Sequence, residues 1–361
     1  MDHEILTDRM KNCFGFNGKE LSLLRSYLAD RTQSVQIGDH VSDPVVLATG
    51  VPQGSILGPL LFSLYLAPLE QILSAEDVGC HFYADDTQVY ISFTAADCCD
   101  SLSKLAEVLT RMHNWFSFNK LSLNPDKTEY LLVGTKRQRD KIKEICTDVS
   151  FAGCTIQPKD CVRNLGILFD NELSFDKQVL STSQTCFWHI RNLRRVRSSL
   201  DFSSTKLLAN ALVSSRIDFC NSLLYGIKGG LIRRLQSVQN SLARVVDQSV
   251  KYRDHISPTL RQLHWLPVHQ RIIFKIALLT FKVLRYKEPQ YLASLLHYLP
   301  DSGRRSSGKN LLVRSFCKSE KGRRAYSFAA PTVWNSLPQC IRDCTEQGSF
   351  RKKLKTHLFP G

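Results

Sequence analysis

Two adjacent carboxylates, Asp85 and Asp86, stand in the middle of HFYADDTQVYISF, His81 to Phe93. β-rich runs on either side of a short polar centre describe a hairpin with the two aspartates at its tip. Like charges this close raise each other's protonation cost unless a cation or several donors answer them. Many Asp-Asp pairs are solvated turns. Here apolar sequence brackets the pair, from Cys80 to Ala84 and from Val89 to Phe93, so the turn is expected on a partly buried scaffold. Hard oxygen ligands of this kind suit Mg2+ or Mn2+ rather than zinc. In a basic protein such ions serve phosphate chemistry on nucleic acid, where two of them roughly 3.5–4 Å apart activate one oxygen and stabilise another.

The elements that must position this tip are legible from periodicity. Asp2 to Cys13 and Lys19 to Leu28 read as helices, the second with Leu21, Leu24 and Leu28 on one face. Ser34 to Gly38 and Pro44 to Gly50 read as strands of a hairpin whose loop is longer than two residues. Val51 to Gly54 is a loop that opens a helix running to about Leu73, with Pro59 in its first turn, where the missing N–H breaks no bond. Past the aspartates, Asp97 or Asp100 can cap a helix whose positions Leu102, Leu105, Val108, Leu109, Met112 and Phe116 form one core stripe. Asn124-Pro125-Asp126 is a turn leading to a further strand that ends near Gly134. A strand near Asn164 to Phe169 then precedes helices at Asp176 to Arg195, Ser203 to Asn221 and Leu231 to Asp247. Further helices follow Tyr252, interrupted by a polar link, Pro300 to Lys309. The whole is an α+β pattern in front and a mostly helical one behind.

Charge divides along the same line. The chain has 361 residues and a formal net charge of +15. Met1 to Val133 holds 9 basic and 17 acidic residues, and the remaining 228 hold 39 and 16. An acidic module is joined to a basic one, which favours nucleic acid over a neutral metabolite. The change begins at KRQRDKIK, Lys136 to Lys143, a candidate boundary. The 12 cysteines are scattered through a chain without a secretory signal, so reduced thiols in an intracellular protein, nuclear or cytoplasmic, are expected. Cys340 and Cys344 are one pair without a second, which is not a zinc module. Val268 to Leu284, the most apolar late stretch, is broken by Arg271, Lys275 and Lys282, so it reads as a buried helix and no membrane partner is expected.

Three motifs occur in a definite order: GVPQGSILGPLLF at Gly50 to Phe62, YADD at Tyr83 to Asp86, and LSLNPDKTE at Leu121 to Glu129. In order and spacing the chain resembles the reverse transcriptases of non-LTR (long interspersed) retrotransposons. DHEIL, NLGILFDNELSF, LHWLPVHQR and FAAPTVWNSLP extend the resemblance along nearly the whole chain. It implies an RNA-directed DNA polymerase that uses Mg2+ or Mn2+, an RNA template, RNA–DNA hybrid or DNA, and deoxynucleoside triphosphates. It implies that Asp85 is the metal-binding carboxylate and that Asp86 is a supporting ligand. Gln53, Gly54 and Tyr83 would lie against template and incoming nucleotide, and Lys127 would protonate or neutralise the pyrophosphate leaving group. The implied parts are a partial palm at 1–133, a palm–thumb connection with primer-grip-like strands at 134–175, a helical thumb at 176–250 and a basic C-terminal region at 251–361.

The family's polymerase also takes a carboxylate from a palm strand of the form D-x-x-x-A-F-D, ahead of the helix that begins D-H-E-I-L. Here that helix begins at Asp2, which belongs to the helix and is a poor substitute for the strand's carboxylate. The chain alone is therefore expected to be catalytically incomplete, and the alternative is a non-catalytic nucleic-acid-binding remnant of a retroelement.

Overall fold

The computed structural model describes residues 1–52, 54–74, 78–145, 148–300 and 310–359. Gln53, Cys146 and nearly all of the polar link lie outside the described residues. The chain forms two compact units, Met1–Leu165 and Gly166–Gly361. In the first, α1 (His3–Asn12) and α2 (Gly18–Leu28) precede four two-residue strands, β1 (Thr32–Gln33), β2 (Gln36–Ile37), β3 (His40–Val41) and β4 (Val45–Val46). There follow α3 (Gly58–Ser74), β5 (Gly79–Tyr83), β6 (Asp86–Tyr90), α4 (Cys98–Phe118), α5 (Lys136–Lys143), β7 (Val149–Phe151), β8 (Cys154–Ile156) and β9 (Cys161–Asn164). In this unit β1 pairs with β4, β2 with β3, β5 with β6 and β7 with β8, all antiparallel. Such short ladders have little stability of their own, so the helices carry the packing.

The stripes expected from periodicity are core. Leu6, Met10, Leu21, Leu24 and Leu28 of α1 and α2 close on Leu61 and Tyr65 of α3. One turn further along, Leu66, Leu69 and Leu73 meet Val108, Met112 and Phe116 of α4. Pro59 sits in the first turn of α3, and Ser55 Oγ accepts the N–H of Gly58 at 3.0 Å, closing the helix entry.

Four local expectations are corrected. The first hairpin has a two-residue loop, Gly38-Asp39, because Ile37 pairs with His40, and the positive φ of Gly38 suits so tight a reversal. No strand forms between Asn124 and Gly134. A short 3-10 turn, Pro125–Lys127, leads instead to a single bridge between Tyr130 and Pro158, and a proline has no N–H with which to extend the ladder. The strand expected near Asn164 to Phe169 is broken at Leu165 and Gly166, both at positive φ, so β9 stops at Asn164. Asp97 does occupy the N-cap of α4, but its carboxylate accepts from Thr94 rather than from the helix. KRQRDKIK is α5, closed by a capping box between Thr135 and Gln138.

The second unit begins with β10 (Ile167–Asp170) and is otherwise helical: α6 (Asp176–Val196), α7 (Phe202–Ala209), α8 (Ser215–Asp218), α9 (Gly229–Val246), α10 (Ser257–Gln262), α11 (Val268–Tyr286), α12 (Gln290–Ala293), α13 (Tyr326–Ser336), α14 (Gln339–Arg342) and α15 (Gln347–Leu358). The expected helix from Ser203 to Asn221 is α7 and α8 joined through a wide π turn, Asn210–Ser214. It stops at Cys220, whose φ of 50° is left-handed. Ile190 of α6, Val238 and Leu242 of α9, and Ile276 of α11 share one core with Phe350 of α15. Phe350 stacks on Phe281 at 4.4 Å between ring centres. No helix among the described residues is long and apolar enough to cross a membrane, and no disulfide joins the described cysteines.

Candidate active site at the Asp85 and Asp86 hairpin

β5 and β6 pair from Gly79 with Tyr90 through Tyr83 with Asp86, which leaves Ala84 and Asp85 as a two-residue loop. Ala84 has a φ of 53°, a left-handed conformation that costs an L-residue roughly 1–2 kcal/mol. Alternation fixes the faces. Cys80, Phe82 and Val89 pack on the core shared by α3 and α4, while His81, Tyr83, Asp86, Gln88 and Tyr90 face outward. The scaffold is thus partly buried, as expected, but the tip is not: Asp85 and Asp86 are exposed and Tyr83 is 68% exposed. The ring of Tyr90 lies directly over Gly79, where a Cβ would come within 2.0 Å of it.

The outward face receives a partner from far along the chain. Asn164, the last residue of β9, donates from Nδ2 to Gln88 Oε1 at 3.1 Å. The NLGIL segment and the aspartate hairpin therefore meet, a contact between residues that sequence reading left unpaired. Gly54 has a φ of +81° with open space where a side chain would stand, so its backbone can be approached closely. Lys127 is exposed at the end of the 3-10 turn, where Asn124 Oδ1 accepts the N–H of Asp126 at 3.1 Å. Among the described residues no hydrogen bond or ion pair joins Lys127 or Gly54 to the two aspartates.

Asp2 has another task. Its Oδ1 accepts the N–H groups of Glu4 and Ile5, both at 3.1 Å, and its Oδ2 takes the ammonium of Lys120 at 2.6 Å. The Lys120 hydrogen bond, followed by the Ile5 N–H, holds the carboxyl below its usual value. Behind it Tyr65 donates to Asn119 O at 2.7 Å, and Arg9 donates to Tyr65 O and to Asn119 Oδ1 while lying 4.6 Å over the Tyr65 ring. Arg9, Tyr65, Asn119 and Lys120 escaped sequence reading, because a motif search sees neighbours and this network spans more than a hundred positions.

The donor set at the tip fits a divalent ion in kind but not in number. Two carboxylates are hard oxygen ligands, yet such cations take six or more, and no group of three His, Cys, Asp or Glu side chains converges among the described residues.

Residues 2–169, the first unit and the opening strand of the second, match the family described as reverse transcriptase (RNA-dependent DNA polymerase). That match covers 168 of the chain's 361 residues. Similar proteins carry the names of RNA-directed DNA polymerases, two of them as probable ones, from transposons and a mobile element. One, from transposon BS of Drosophila melanogaster, is 29% identical over 198 residues, which are 53% of this chain and 21% of that protein. A second, from transposon X-element of the same organism, is 28% identical over 242 residues, 62% of this chain and 24% of the relative. A third, from the mobile element jockey, is 28% identical over 168 residues, 45% and 17%. The chain thus spans less than a quarter of the length of each of these relatives.

Proposed function

We propose that this chain contributes the aspartate hairpin and the nucleic-acid-holding helices of an RNA-directed DNA polymerase from a non-LTR retrotransposon. The observation that carries this reading is the exposed pair Asp85 and Asp86, at a two-residue tip inside the segment that matches the family. In this reading Asp85 and Asp86 hold part of the ligand set of a Mg2+ or Mn2+ ion. When bound, such an ion supplies positive charge to phosphate oxygens. Tyr83, Gly54 and Gln53 line the path of template and nucleotide, and the exposed Lys127 meets the charge of the leaving pyrophosphate. Residues 1–133 act as part of a palm, 134–175 as its connection to the thumb, 176–250 as the thumb and 251–361 as a basic extension.

The partners follow from charge. Residues 166–361 carry 32 basic and 12 acidic residues against 16 and 21 in residues 1–165, so the second unit suits RNA, RNA–DNA hybrid or DNA. Because the described residues bring two carboxylates to the tip, and two-metal catalysis uses more, the chain alone should bind a primer–template without extending it. The test is extension of an oligothymidylate primer on poly-adenylate with magnesium or manganese, beside an Asp85→Ala control and a binding measurement. Binding without extension is the expected result. Extension above the control would show that another carboxylate completes the site, and failure to bind would remove the function proposed.

A further inference from the structure

We propose that the outward face of α6 is a stacking platform for the unpaired bases of a single-stranded nucleic acid, with Trp188 at its centre. The inference rests on the reading of the second unit as the part that holds nucleic acid, and it specifies what this helix holds. Helical periodicity gives α6 two distinct arcs. On one, Val179, Ser183, Cys186, Ile190 and Leu193 are buried. On the other, Leu180, Phe187 and Trp188 are 39, 40 and 57% exposed, and Arg191, Arg194 and Arg195 continue the same arc, also exposed. Among the described residues these three guanidiniums make neither a hydrogen bond nor an ion pair. The one carboxylate of α6, Asp176, stands in its first turn and pairs with Lys228 at 3.6 Å. His189 steadies the indole of Trp188 in a T-shaped contact, 4.8 Å between ring centres.

Single apolar side chains are ordinary on a protein surface, and a run of arginines on a helix is commonly a solvated face. Here both kinds of group share one arc. From Leu180 to Arg195 the row runs about 22 Å, at roughly 1.5 Å per residue. Whatever covers it must be apolar in part and anionic in part. A second copy laid face to face would set these arginines against their own kind. A duplex presents phosphates, but its bases are already stacked on one another and leave Phe187 and Trp188 nothing flat to meet. An unpaired strand presents both: each base has a π face for an aromatic ring or a guanidinium plane, and the phosphates answer the arginines. The 32 basic against 12 acidic residues in 166–361 draw such a strand to this unit.

The experiment uses the full chain and two fluorescein-labelled strands of equal length, an oligothymidylate and an abasic oligodeoxynucleotide that keeps the phosphates without the bases. An RNA–DNA hybrid duplex is the third probe, and all are read by anisotropy. Trp188→Ala should weaken oligothymidylate binding about tenfold, the loss of one stacked base, and change neither abasic-strand nor hybrid binding. Trp188→Phe, which keeps a ring, should retain most of the affinity. Arg191→Gln should weaken both strands and lower the slope of log affinity against log salt by about 0.7. If Trp188→Ala does not fold, Phe187→Ala should show the same base-dependent loss. Equal losses on the thymidylate and abasic strands would reduce the face to a phosphate contact, and equal losses on strand and hybrid would make it a duplex surface; either overturns the platform. A dimer of the parent in sedimentation that Trp188→Ala abolishes would assign the face to a second copy and overturn it too. Binding indifferent to Trp188, Phe187 and Arg191 overturns this inference and leaves the nucleic-acid reading intact, whereas no binding of strand or hybrid by the parent removes both.

Discussion

Asp170 Oδ2 accepts the backbone N–H of Phe175 at 2.7 Å, and that bond holds Phe175 at a φ of 61°, where α6 begins. The same carboxylate accepts the N–H groups of Glu172 and Ser174 at 3.0 and 2.9 Å. Burial pushes the Asp170 carboxyl up, but these N–H groups and the Ser174 hydroxyl outweigh it and keep the carboxyl below its ordinary value. Arg324 fastens the loop from the far side, donating to Leu173 O at 2.7 Å and lying 5.3 Å over the Phe175 ring.

Removing Asp170 should therefore strand several N–H groups at once. Asp170→Ala is expected to cost the second unit roughly 2–4 kcal/mol, at about 1–3 kcal/mol for each buried donor left unpaired and with water reaching some of them. A carboxyl whose folded pKa is depressed contributes stability above its unfolded value, near 3.9, and loses it as the pH falls through the folded value. Chemical denaturation of the parent should weaken below about pH 4 more steeply than that of Asp170→Asn. Matching pH profiles would disprove the role.

The Asp2 and Lys120 pair makes a similar prediction for the first unit. Asp2→Ala removes an N-cap and a charged partner together, and should cost about 1–2 kcal/mol. Lys120→Met should weaken the packing of α1 less, because both N–H bonds to Asp2 survive. Hydrogen exchange of the α1 amides reports both, with Asp2→Ala the faster of the two. A reversed order would place the stabilisation in the ion pair instead of the cap.

At the hairpin, Mn2+ should bind weakly and in fast exchange, since two carboxylates fall short of the oxygen count such ions take. Water-proton relaxation should lose most of its manganese enhancement in Asp85→Ala and part of it in Asp86→Ala. Enhancement unchanged in both variants would move the ion elsewhere.

The charge asymmetry predicts a salt effect. Residues 166–361 should bind RNA–DNA hybrid with little sequence preference, and log affinity should fall with log salt by about 0.9 for each duplex-DNA phosphate neutralised, somewhat less on a single strand. Residues 1–165 should bind far more weakly. Equal affinities, or indifference to salt, would show that net charge is not what holds the nucleic acid.

Sequence alone determined what depends on near neighbours. The stripes of α1, α2 and α4 declared their buried faces, because residues three and four apart share a side of a helix wherever that helix lies. The reversal at Asp85 could be read for the same reason, since β-rich runs flank it. What only the tertiary structure decided involves distant partners. Tyr130 makes one bridge rather than a strand because the residue opposite is Pro158. Asp97 occupies its cap yet turns to Thr94. Asn164 finds Gln88 across 76 positions, and Lys120 finds Asp2 across 118.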